Sequence, residues 1–503
     1  MVGGFSRLDE IISSRLAKDP ETHAVWWKGS WMSGAGFMAL VRESEESLRQ
    51  SGFRPGSRIA VFLPNSPLLW SLAVAAWRLG GAIAPLNARS GINASVQITE
   101  HIDPIGAVLG DGMENLAGVL MENGIPSVIA SPEGPLPMFI ARMTKPEDEG
   151  IAVIFATSGT TGAPKAVEVS HANLIDNSLK VYQTIEGFES GRVLLNVLPN
   201  FHSLGFTICG VLPLCWGLPM VVVSSFIPVR ETLEALQKAE VSIMIAVPTM
   251  LPFLMGAVSK EGLSFPSLKY ILTGGGKLDP TLEGRIRKEM GVICFEGYGL
   301  TESSPVVSCN PSEKTRKLGT VGPPLPGYEV QIRDIEGNVL RTGEEGVLWV
   351  KGPSVTSGYF RAPDLTAERF HDGWLDTGDI VKLDEDGFIT ILDRATDLII
   401  VGGFNVYPQE VETVLNSHPS VKMSAAVGIS SAISGEVVKA FVVPHEHVNV
   451  TQQELVLFAK EHLAHYKVPR RIDIVQELPL SSTGKILKRQ LREMESETTE
   501  NPR

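Results

Sequence analysis

The chain has 503 residues, 43% of them hydrophobic and 20% charged, which fits a soluble globular protein with a large body and at least one further domain and excludes disordered and fibrous classes. A formal net charge of -13 argues against a general binder of nucleic-acid backbones, because that affinity comes from clustered Lys and Arg. Cys209, Cys215, Cys294 and Cys309 lie among apolar neighbours without CxxC spacing or a nearby His pair, so neither zinc nor a disulfide framework is expected.

Residues 1–7 lack a basic stretch followed by an apolar one, so no signal peptide is read, and reduced thiols in a cytoplasmic setting are the expectation. From Ile59–Leu63 through Ser242–Ala246 to Tyr270–Thr273, apolar helical runs alternate with short β-branched strands, which predicts crossover units and parallel sheets covered on both faces. Residues 203–229 carry no charge and are long enough to span a bilayer. Pro213, Gly217 and Pro219 interrupt them, so a short apolar helix near 204–216 and a strand from Met220 are expected instead, leaving peripheral membrane contact open. From Gly327 the texture changes to short strands between turn dipeptides, Glu329–Arg333, Gly346–Lys351 and the segment after Asp386-Gly387, which predicts a small antiparallel β unit over about 327–392. After Asp393-Arg394 a βαβ-like pattern begins again, with a helix from Pro408 to about Ser417 and a strand at Ala440–Val443. A boundary is therefore placed near 393–397, giving domains 1–393 and 394–503, and the polar tail from Glu493 is expected to be frayed.

The most informative stretch is residues 155–167. Gly159 and Gly162 permit turns in which N–H groups converge on an anion, Thr157, Ser158, Thr160 and Thr161 supply hydroxyls, and Lys165 supplies a positive charge. Such a loop suits the β- and γ-phosphates of a nucleotide. It is not a Walker A loop, because Pro164 stands where the Gly-Lys pair needs glycine and Ala166 follows the lysine.

The run Thr157–Lys165 resembles the signature of the superfamily of adenylate-forming enzymes that contains acyl-CoA synthetases, peptide-synthetase adenylation domains and luciferases. That resemblance implies four further motifs in order, and Tyr298–Glu302, Trp374–Asp379, Asp393-Arg394 and Thr483–Lys485 supply them. It also implies an α/β fold: a large N-terminal domain of parallel-type sheets with helices and a small β-barrel, then a small mobile α+β C-terminal domain.

By the same resemblance, Glu302 is the magnesium carboxylate, with Thr157 as a second metal-side group, and Thr301 donates to the α-phosphate. The turn Gly274-Gly275-Gly276 and the stretch Glu296, Gly297, Tyr298 and Gly299 correspond to segments that sandwich adenine. Asp379 corresponds to the carboxylate that binds the ribose hydroxyls, assisted by Arg394. Lys485 corresponds to the lysine that reaches the α-phosphate during adenylation, and His202 to a histidine beside the acyl pocket and thiol entrance. Gly402 and Gly403, in the run to Pro408, resemble the loop that approaches the pantetheine of CoA in fatty acyl-CoA synthetases.

Three positions depart from the family pattern: Thr396 at the hinge, Ala166 after Lys165, and Lys277, where many relatives carry proline. The last resembles bacterial acyl-ACP synthetases. The expected activity is therefore ATP-dependent activation of a medium- or long-chain fatty acid to acyl-AMP and transfer to CoA, with ATP, Mg2+, the acid and CoA as small-molecule partners. The alternatives are delivery to acyl carrier protein, which Lys467, Arg470, Arg471, Lys488, Arg489 and Arg492 would dock, and an inactive nucleotide-binding regulator.

Overall fold

A computed structural model describes residues 5–146, 150–157, 165–431, 435–480 and 486–500, with only the backbone of 495–500. The chain divides into two compact units: residues up to Val330 together with Val350–Leu375, and Gln331–Trp349 together with the chain from Asp376.

The first unit holds two sheets flanked by helices. One has six strands in the spatial order Ser127–Ile129, Ala107–Leu109, Arg58–Phe62, Ala82–Pro85, Ile151–Thr157, Lys165–Ser170. Its interior strands are parallel and run apolar, and every residue of Arg58–Phe62 is buried. The helix Pro67–Arg78 is buried at every position before Arg78, because it lies inside the body rather than on its surface. The Trp77 indole N–H on this helix donates to the Ala152 carbonyl of the sheet at 2.8 Å.

The second sheet has eight strands, in the order Val306–Cys309, Ile293–Gly299, Tyr270–Thr273, Ile243–Ala246, Leu194–Asn196, Met220–Val222, His23–Trp27, Ser30–Ser33. Neighbours are parallel except at its two ends, where hairpin-like partners run antiparallel. The parallel expectation is thus borne out, with antiparallel strands closing both edges.

The uncharged stretch after His202 is an interrupted helix: Ser203–Phe206, a π-helical turn Thr207–Val211, and Leu212–Trp216, followed by the strand Met220–Val222. The wide turn coincides with Gly210. A Cβ there would lie 1.8 Å from the ring of the buried Trp70, so only glycine lets the two segments approach. Among the described residues no helix is long and apolar enough to cross a membrane.

In the second unit, Asp379–Leu383, the later part of the strand Trp374–Leu383, pair antiparallel with Ile389–Arg394, which sets Asp379 opposite Arg394. Beyond it, a sheet in the order Phe404–Val406, Ile399–Val401, Gly435–Pro444, Val421–Ser431, with Arg471–Ile474 added parallel to Gly435–Pro444, packs on the helices Pro408–Asn416 and Gln452–His462. Of the polar tail from Glu493 expected to fray, the residues up to Glu500 continue the helix Lys488–Glu500, and 501–503 lie outside the described residues. Leu491, 2% exposed, anchors it in an apolar cluster with Ala425, Val427, Phe441 and Leu478, contacts that local polarity does not reveal.

Candidate active site

The predicted phosphate loop is the connection of a hairpin. Ile151–Thr157 pairs antiparallel with Lys165–Ser170, and Thr157 stands directly opposite Lys165 at the mouth. Ser158, Gly159, Thr160, Thr161 and Gly162 lie outside the described residues, as does Lys485. The hairpin legs are fixed by burial, since Ile151–Phe155 are all buried.

Of the candidates, the turn Gly274-Gly275-Gly276, Tyr298, Thr301 and Glu302 gather at the carboxyl edge of the eight-stranded sheet, where open α/β sheets bind their ligands. Thr273 pairs with Glu296, so the turn Gly274-Gly275-Gly276 and the stretch Gly297-Tyr298-Gly299 leave adjacent strands side by side. Gly299 is required by packing, because a Cβ would lie 1.8 Å from the Pro305 carbonyl oxygen. Glu296 is not presented as a ligand group. The residue is buried, its carboxylate accepts the Leu278 N–H at 3.2 Å, and burial raises its pKa above the usual carboxylate range.

Thr301 and Glu302 open a single 3-10 turn, Thr301–Ser303, just beyond that strand. The Thr301 hydroxyl lies 3.2 Å from the Ser203 hydroxyl, which brings the loop carrying His202 beside Thr301. That loop is held by a buried group of amides: Asn65 donates to the Leu198 carbonyl at 2.8 Å and accepts the Asn200 N–H at 2.9 Å, while the Asn200 side chain donates to Asn196 at 2.9 Å and to the Gly205 carbonyl at 3.0 Å. The half-buried Glu302 carboxylate accepts a 2.6 Å hydrogen bond from the Tyr359 hydroxyl. Neither Ser203, the asparagines nor Tyr359 carries a local sequence signal, because each acts through a partner far along the chain.

In the second unit the Arg394 guanidinium lies 3.0 Å from the carboxylate of the buried Asp379, whose side chain is 5% exposed. The Asp379 N–H donates to the Thr377 hydroxyl at 3.1 Å, and that hydroxyl donates to the Leu348 carbonyl at 2.7 Å, so the backbone around the carboxylate is fixed. Asp393 accepts the Gln409 N–H at 2.9 Å, and burial raises its pKa. Gly402 and Gly403, at φ +58° and +86°, make the two-residue turn of a hairpin in which Val401 pairs with Phe404. A Cβ at either would meet nothing within 4 Å, so the turn, not crowding, demands glycine.

Among the described residues no cluster of three or more His, Cys, Asp or Glu side chains is arranged to hold a metal. One oriented carboxylate, Glu302, fits Mg2+ brought in on nucleotide phosphates, because that ion usually keeps waters and takes only one or two protein carboxylates.

Family models for the AMP-binding enzyme and for the AMP-binding enzyme C-terminal domain match residues 12–360 and 410–485. The chain belongs to the AMP-binding enzyme family. It is 38% identical over 353 residues to a long-chain-fatty-acid–CoA ligase of Salmonella typhimurium, a match that takes in 69% of this chain but 63% of the relative. It is 31% identical over 493 residues to a feruloyl-CoA synthase of an Amycolatopsis species, covering 95% of this chain and 97% of that one. Its fold superposes on ATP-bound MatB from Rhodopseudomonas palustris with a TM-score of 0.87 at 29% identity, over 97% and 99% of the two chains. These adenylate-forming neighbours share the α/β architecture of a large N-terminal and a small C-terminal domain.

Proposed function

We propose that this protein is an ATP-dependent acid–thiol ligase that converts a carboxylic acid to acyl-AMP, releases pyrophosphate, and then passes the acyl group to CoA. The observation that carries the reading is the oriented Glu302, beside Thr301, on the sheet edge that also presents the glycine turn and Tyr298.

In the first step a substrate carboxylate oxygen bonds to the α-phosphorus and the bond to the β-phosphate oxygen breaks. Magnesium, when bound, supplies charge neutralisation on the phosphates. Thr301 donates to the α-phosphate, Lys165 and the hairpin loop hold the β- and γ-phosphates, Asp379 accepts the ribose hydroxyls with Arg394 orienting it, and Lys485 bridges the α-phosphate and the acid. In the second step the thiol sulfur bonds to the acyl carbon, AMP leaves, and the thiol proton goes to solvent or base, with His202 beside the entrance. The small domain from residue 394 turns between the steps about the exposed turn at Ala395-Thr396, bringing the Gly402-Gly403 hairpin toward pantetheine.

The acid is proposed to be a medium- or long-chain fatty acid, as suggested by the Salmonella ligase. The feruloyl-CoA synthase, matched over nearly its whole length, favours an aromatic acid as the second reading. CoA is preferred to a carrier protein on electrostatic grounds. Of the six basic residues considered for docking, Lys467, Arg471, Lys488, Arg489 and Arg492 each sit within salt-bridge distance of a carboxylate, namely Glu410, Asp473, Glu412, Glu493 and Asp397. Charge neutralised in place steers an acidic partner weakly.

The test is magnesium-dependent exchange of labelled pyrophosphate into ATP with octanoate, palmitate and ferulate, followed by thioester formation with CoA and with holo carrier protein. Absence of exchange with every one of these acids would overturn the reading. Ferulate outrunning both fatty acids would select the aromatic one, and a large, salt-sensitive preference for carrier protein would replace CoA.

A further inference from the structure

Tyr359 is a buried phenol, 7% exposed, packed in an apolar cluster that includes Phe155, Val167 and Val169 of the phosphate hairpin and edge-on to Phe370 at 5.9 Å. A buried tyrosine hydroxyl needs a polar partner, and here it donates to Glu302 Oε1 at 2.6 Å. The backbone of the same residue is held elsewhere. Tyr359 forms an isolated antiparallel bridge with Val167, the Phe360 N–H donates to the Ala166 carbonyl at 2.8 Å, and the Tyr359 N–H donates to the Thr366 hydroxyl at 3.0 Å. Ala166 and Val167 directly follow Lys165 on the hairpin strand. One residue therefore ties Glu302, 57 positions away, to the strand that begins with the phosphate-loop lysine.

We propose that Tyr359 is a positioning residue for the metal–nucleotide complex: its hydroxyl fixes the rotation of the Glu302 carboxylate relative to the phosphate hairpin, so that the carboxylate meets Mg2+ carried by ATP in one orientation. The proposal rests on the adenylation reading for its biological meaning, though it can be measured without turnover. A glutamate carboxylate rotates over a broad range about its last torsion, and a single hydrogen bond to one oxygen narrows that range while leaving lone pairs for a cation. Hydrogen bonds to metal-ligating groups generally contribute 10–100-fold to metal affinity or activity.

The experiment measures Mn2+ binding to the full-length protein in the presence of a non-hydrolysable ATP analogue, by electron paramagnetic resonance of free Mn2+, and analogue binding without metal by calorimetry. Tyr359→Phe keeps the ring and should weaken Mn2+ binding about 10-fold or more, with metal-free nucleotide affinity and thermal midpoint close to wild type. In a Glu302→Gln background the same change should add little, since its effect passes through that carboxylate. Equal weakening of metal-free and metal-loaded nucleotide would make Tyr359 a packing residue and overturn the proposal. So would additive losses in the double variant, or a wild-type protein in which Mn2+ does not tighten nucleotide binding. Wild type that binds the metal–nucleotide through Tyr359 but exchanges no pyrophosphate with any acid would sustain the positioning role and remove the adenylation reading.

Discussion

The guanidinium of Arg394 sits 3.0 Å from the Asp379 carboxylate, across a ladder in which the two residues are direct partners. Register, rather than chance rotamers, sets this pair. If Asp379 accepts the ribose hydroxyls, wild-type protein should lose about 10-fold or more in kcat/KM on 2′-deoxy-ATP, because an acceptor built for a hydroxyl is left unpaired. Asp379→Ala should be slow on both nucleotides and discriminate little between them. A variant that still rejects the deoxy nucleotide would place ribose recognition elsewhere.

Leu480 and Ile486 form an isolated antiparallel bridge, and Lys485 belongs to the residues between them, which lie outside the described ones. Lys485→Ala should lower pyrophosphate exchange by about 100-fold or more, the scale typical of losing one charge-stabilising donor. Thioester formation from supplied acyl-AMP should remain near wild type. Equal losses in both half-reactions would show that the lysine does not act in adenylation alone.

Lys488 and Glu412 form an ion pair at 2.9 Å with side chains only 13% and 14% exposed, and the Glu412 carboxylate also accepts the Ala426 N–H at 2.9 Å. Burial raises the Glu412 pKa, opposed chiefly by the Lys488 charge. Glu412→Gln leaves the largely buried lysine with only the nearby Asp393 carboxylate as counter-charge and should cost about 1–3 kcal/mol in denaturant unfolding. Lys488→Met in the same background should restore part of that loss. Unchanged stability in the single variant would mean the pair is not desolvated.

His171 is 2% exposed, accepts the Leu8 N–H at Nδ1 and packs edge-on to Trp77 at 5.8 Å. Burial, aided by Arg7, lowers its pKa from 6.5 to about 3. The unfolded chain therefore binds a proton that the folded one does not between those values. Its contribution is fully present above about 6.5 and is lost as pH falls toward about 3. His171→Asn should flatten the stability profile in that window by on the order of a few kcal/mol, since each pKa unit is worth about 1.4 kcal/mol. Unfolding midpoints of the two proteins against pH check this, and parallel curves would refute it.

Much of the architecture was readable from local pattern. The strands at Ile59, Ser242 and Tyr270, the break of the uncharged stretch before Met220, and the helix from Pro408 follow from β-branched runs and from glycine and proline placement, which act on the backbone within a few residues. The phosphate-loop string that begins at Thr157 and ends at Lys165 stood out by its own residue types, whereas Thr301, Glu302, Asp379 and Arg394 were singled out only by the family resemblance that this string carried. Long-range contacts decided the rest. The π-turn at Thr207–Val211 depends on Trp70 fitting over Gly210, the C-terminal helix on Leu491 finding an apolar cluster, and the His202 loop on Asn65. Tyr359 has no distinguishing neighbours in sequence and gains its place because the chain returns along the phosphate hairpin and aims a buried hydroxyl at Glu302. Spacing along the chain encodes backbone conformation, whereas a buried polar group takes whichever partner the folded path brings within about 3 Å.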